Sequence, residues 1–110
     1  MIIKGKSPLD SFGSFVKVVV DIERKIIAAG GEFHADGEQM LIKDGSKQKD
    51  VWGANYYPFE KAPQRIQYTA LINIRPLDNN KGMLIENETI RHKIKAIVES
   101  LLLAPNDETP

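Results

Sequence analysis

The chain contains no cysteine. That excludes a disulfide framework, a thiol nucleophile and a Cys-ligated zinc. It also has no surplus of either charge, with 15 Lys and Arg against 15 Asp and Glu in 110 residues. The balance is local as well: residues 1–55 hold eight of each sign and residues 56–110 hold seven. A neutral chain without a basic stripe argues against a dedicated nucleic-acid module or a polybasic membrane-surface module. No apolar run approaches the ~18–20 residues that a membrane span needs. The apolar start Met1-Ile2-Ile3 stops at Lys4, too soon for a signal peptide. Gly30-Gly31 lacks both the Lys-Ser/Thr and the third glycine of a phosphate-binding loop. These absences predict a soluble, cytoplasmic protein with no membrane segment.

Hydrophobic residues make up 42% of the chain. For 12.3 kDa, roughly 65% of the unfolded surface can be buried on folding. One domain over residues 1–104 fits that size, with 105–110, which include two prolines, as a disordered tail. The segment Phe15–Ile22 alternates, with Val16, Val18, Val20 and Ile22 on one face; its β-branched residues favour a strand. Ile66–Arg75 alternates too, setting Ile66, Tyr68, Ala70, Ile72 and Ile74 against Gln67, Thr69, Leu71, Asn73 and Arg75. Asp36-Gly37 and Asp44-Gly45 are turn dipeptides flanking Glu38–Lys43. They suggest successive antiparallel strands over 25–34, 38–43 and 49–57. Near the C-terminus, Ile90, Ile94, Ile97, Val98 and Leu101 form one apolar stripe, which predicts a helix capped by Asn87 or Thr89 and closed before Pro105. The expected fold class is α+β: an antiparallel meander sheet of about five strands, with one C-terminal helix packed on its apolar face. Residues 5–14 carry no readable pattern. The surplus in Leu101-Leu102-Leu103 suggests a share in a subunit interface.

Three constellations bear on chemistry. His34, Asp36 and Glu38 lie at i, i+2 and i+4, so a straight strand would project all three from one face. An imidazole with two carboxylates suits a divalent metal with open positions for water and substrate. The competing reading is a turn at Asp36-Gly37 with a surface His and Glu. Asp10 with Glu23-Arg24-Lys25 imitates the acidic and lysine pattern of metal-dependent nucleases, or is simply a solvated hairpin tip. Trp52, Asn55, Tyr57, Asn73 and Arg75 form an aromatic and polar group fit to contact a ligand or partner. Core packing of Trp52 and internal pairing of Arg75 with Asp50, Asp78 or Glu38 compete with that use. His92, set between Arg91 and Lys93, leaves His34 as the one attractive base. Ser46 reads as turn chemistry, not as a nucleophile.

The blocks Gly30-Gly31-Glu32-Phe33-His34-Ala35-Asp36, Asp44–Asn55 and Leu71-Ile72-Asn73-Ile74-Arg75-Pro76 together resemble a family of short prokaryotic proteins whose function is unknown. The resemblance spans roughly residues 15–100. It implies a helix before the first strand, where this chain is short between Lys6 and Phe15, and it implies no activity. The leading expectation is a non-enzymatic binding or interaction module. Exposed sheet edges suggest a homodimer. A metal-dependent hydrolase acting through His34, Asp36 and Glu38, with phosphodiesters as a candidate substrate, is the alternative. Single-stranded RNA binding through Trp52, Tyr57 and Arg75 is a third expectation, weakened by the neutral charge.

Overall fold

Valines at 16, 18, 19 and 20 stiffen the backbone toward extended conformations. The computed structural model, which describes residues 2–5, 7–8, 15–61 and 64–103, has a strand there: β3, Val16–Asp21. It is the centre of a five-stranded sheet. With β1 at Ile2–Ile3, β4 at Ile26–Ala29, β5 at Val51–Tyr56 and β6 at Ile66–Gln67, the order is β1-β4-β3-β5-β6. Every neighbouring pair is antiparallel. Two short segments, β2 (Ser7–Pro8) and β7 (Leu102–Leu103), pair in parallel apart from it. The α+β class therefore holds. The connection differs from a simple meander, because β4 and β5 lie on opposite sides of β3.

Both faces of the sheet are covered. Val18, Val20, Ile27, Trp52 and Ala54 pack with Ile94, Ile97, Val98 and Leu101 of the C-terminal helix. That helix, α2, runs Glu88–Leu101, and the Asn87 side chain accepts the Ile90 N–H at 3.1 Å, as an N-cap should. On the reverse face Val19, Ile26, Ala28 and Val51 pack with Leu41. Leu41 belongs to a second helix, α1, His34–Lys43.

The helix α1 corrects the expected strand over 38–43. Three consecutive apolar residues, Met40-Leu41-Ile42, fit either period, and the neighbouring Asp-Gly pairs read as hairpin turns. Neither pair makes one. Gly37 lies inside the helix, where a Cβ would stand 2.8 Å from Val19 Cγ2, so glycine is what lets α1 press onto β3. Gly45, at φ 108°, ends the helix. Its N–H bonds the Ile42 carbonyl and the Ser46 N–H bonds the Leu41 carbonyl, the two bonds of a Schellman cap.

The strand expected over 66–75 also stops early. Only Ile66–Gln67 pair with β5; Thr69 bridges to Leu84, and Leu71–Asn73 and Pro76–Asp78 are single 3₁₀ turns. The tail of α2 differs as well: Leu102 is fully buried in the core, which accounts for that leucine without a subunit interface. Asp10 and residues 104–110 lie outside the described residues. Among those described, no helix is long and apolar enough to cross a membrane.

Candidate functional site

β5 meets β6 only at Asn55 and Tyr56. Below that point its outer edge is closed by side chains. Fully buried Asn73 accepts the Gly53 N–H at 2.8 Å and donates to the Gly53 carbonyl at 2.9 Å and the Met83 carbonyl at 3.1 Å. One carboxamide thus stands in for a strand partner. Arg75 continues the closure. Its guanidinium donates to the Val51 and Lys49 carbonyls, and its Nε donates to the Ile72 carbonyl. The same guanidinium lies 4.1 Å from the Trp52 ring centroid, a cation–π stack. Burial pulls the Arg75 pKa below its ordinary value, and the carboxylates of Glu38, Asp78 and Asp50 pull it back. Asn80 holds the next turn: its amide reaches the carbonyls of Asn73, Gly82 and Leu84, and its oxygen accepts the Glu86 N–H.

This bracing positions a cleft. Antiparallel contacts join Tyr68–Ala70 to Met83–Ile85, which brings Met83 beside Ala70. A Cβ on Gly53 would stand 2.6 Å from Ala70 Cβ, 3.1 Å from His34 Cδ2 and 3.2 Å from Ile72 Cδ1. The missing side chain lets α1 and the 70–72 segment converge over β5. Between them opens a cleft of about 400 Å³, lined mainly by Phe15, Phe33, His34, Asn55, Leu71 and Met83. Tyr57 stacks on Phe15 with centroids 5.1 Å apart. Lys17, the one charged residue among the described residues of the lining, donates to the Glu32 carbonyl at 2.8 Å.

His34 opens α1, and its Nε2 lies 2.8 Å from the Ala54 carbonyl. A carbonyl only accepts, so Nε2 carries the proton. Desolvation lowers the His34 pKa from 6.5, helped by the Lys17 charge and opposed by the Ala54 carbonyl and the Asn55 amide. The ring is therefore neutral at pH 7. Asn55 donates to the Thr69 carbonyl at 3.3 Å.

The metal expectation assumed a strand, and a helix changes its geometry. Residues two apart on a helix point to nearly opposite sides, so Asp36 diverges from His34 and Glu38. Asp36 is exposed, while Glu38 is buried and its pKa is raised by desolvation against the pull of Arg75. Among the described residues no group of three or more His, Asp or Glu side chains could hold a metal ion.

Glu23, Arg24 and Lys25 form the exposed β3–β4 turn. Asp21 organises it by accepting the N–H groups of Glu23 and Arg24, both at 2.9 Å. Arg24 is spent on Ser46 Oγ and on an ion pair with Asp44. Of the five expected contact residues, Trp52 and Asn73 are buried. The Arg75 guanidinium is committed to carbonyls instead of a direct carboxylate pair. Asn55 and Tyr57 stand at the cleft or its rim.

The exposed large apolar residues of the lining, Phe15, Phe33, Leu71 and Met83, were missed from the sequence. Phe33 sits at the N-cap position of α1 without a side-chain hydrogen bond. An apolar residue where Ser, Thr or Asp would stabilise the helix marks Phe33 out only once α1 is known, and the sequence was read as strand there.

Residues 4–101 match the model of the family described as protein of unknown function (DUF5674), and the chain belongs to that family. No curated protein and no solved structure matches it.

Proposed function

We propose that this protein is a non-enzymatic interaction module whose contact surface is the cleft between the start of α1, the 69–72 segment and Met83. The observation that carries this reading is the exposure of four large apolar side chains around one concavity, Phe15, Phe33, Leu71 and Met83. A concave, mostly apolar site with few polar groups is the usual form of a binding pocket. Asn55 and neutral His34 supply those polar groups. The commitment of His34 Nε2–H to a backbone carbonyl favours a positioning role over proton transfer.

The uncharged fluorophore N-phenyl-1-naphthylamine tests this. Its emission should rise on mixing with the monomeric protein, as identified by sedimentation velocity. The Met83→Glu variant, altered at the rim, should lose the enhancement while keeping its far-UV circular dichroism. A monomer that leaves the dye dark, or a Met83→Glu variant that brightens it equally, contradicts the proposal.

A further inference from the structure

We infer that the occupant of this cleft is a second copy of the same chain, docked about a two-fold axis. This rests on the reading of the cleft as a contact surface. Phe15, Phe33, Leu71 and Met83 are 41%, 63%, 70% and 42% exposed. At roughly 200 Å² for a fully exposed large side chain, they present about 400 Å² of apolar surface. A standard interface takes ~800 Å² from each partner, and homodimer interfaces are about 65% apolar, so each copy contributes ~500 Å² of apolar area. The four side chains with half-buried Ile72 come close to that figure.

Size and composition select the occupant. A small molecule inside the cleft would leave the outer parts of Phe33 and Leu71 in water, whereas a protein surface covers them. Among the described residues the single cation of the lining, Lys17, is already bound to a carbonyl. A charge-depleted, apolar contact is what homodimer interfaces have, more than those between separate partners. Shape agrees, because hollow and projecting side chains lie next to each other on one patch. A two-fold axis then seats the Phe33 and Leu71 of each copy in the hollow of the other. Dimerisation by strand pairing along the lower edge of β5 is closed, since Asn73 and Arg75 occupy that edge.

Sedimentation velocity from ~1 nM, with fluorescence detection, to ~500 μM covers the micromolar and nanomolar affinities common for an interface of this size. The wild-type protein should shift from monomer to dimer within that range or be dimeric throughout. Leu71→Asp and Phe33→Ser should each weaken the dimer at least ~10-fold. Phe33→Ser places a better helix cap at that position, so it removes the projecting ring without loosening α1. Leu77→Asp, at a fully exposed leucine outside the cleft lining, should change nothing. Monomer at every concentration overturns the inference, as does a dimer indifferent to both cleft variants. A monomer that still brightens the dye leaves the cleft as a contact surface for some other occupant; a monomer that leaves it dark removes both readings.

Discussion

Asn73 gives both its amide hydrogens and its oxygen to backbone groups, and two of the three bonds are to Gly53. Alanine at 73 would leave the Gly53 N–H and carbonyl unpaired in the interior. The expected cost is about 2–4 kcal/mol, read by urea denaturation. A loss under ~0.5 kcal/mol would mean that β5 does not depend on this side chain.

His34 gives a pH dependence whose sign follows from its lowered pKa. The folded ring holds its proton less tightly than the unfolded one. Below about pH 6.5 the unfolded chain takes up more protons, so this residue lowers stability as pH falls. Above that pH it is neutral in both states and contributes no slope. Comparing urea midpoints at pH 7.5 and 5.5, wild type should lose more than His34→Gln. Parallel losses would show that the ring titrates as in the unfolded chain.

Among the elements, α2 was fully legible because its stripe repeats over 14 residues and Asn87 caps it. The alternation in β3 was legible from its β-branched run, and β5 lies within the strand expected over 49–57 from the order of turns before it. The helix α1 was not. Its apolar content is three adjacent residues, and its glycine at 37 counts against a helix by propensity. What decides is tertiary: Gly37 is the place where helix and sheet touch. That makes a prediction against propensity. Gly37→Ala should gain up to ~1 kcal/mol in helix propensity, yet the added methyl meets Val19 Cγ2 at 2.8 Å on a β-branched side chain fixed in the central strand. Overpacking should win, with a net loss of about 1–2 kcal/mol in thermal or urea unfolding. A stabilised Gly37→Ala protein would contradict the packing of α1 on β3. The stretch after Gln67 was illegible for a different reason. A side-chain amide takes over from the strand ladder there, and periodicity cannot report that.

For the whole molecule, helices on both faces leave little of the sheet free. The expected contact group mixed two environments, because Trp52 and Arg75 serve the core and the closed edge while Asn55 and Tyr57 border the cleft. Asn55 and His34 could be singled out as polar residues of unusual placement. The aromatic and aliphatic rim could not, because an exposed Phe or Leu looks the same in a sequence as a buried one. Only the converging segments over Gly53 show which apolar side chains remain outside.

The central claim is that this cleft makes the contact. Methyl resonances of Leu71, Ile72 and Met83, followed during the dye titration and during dilution of the protein, test it site by site. They should move with the dye, and on dilution through the monomer–dimer transition, while those of Leu77 and of Leu102 in the core stay still. Cleft methyls that remain silent while methyls elsewhere respond would place the contact surface on another part of the molecule.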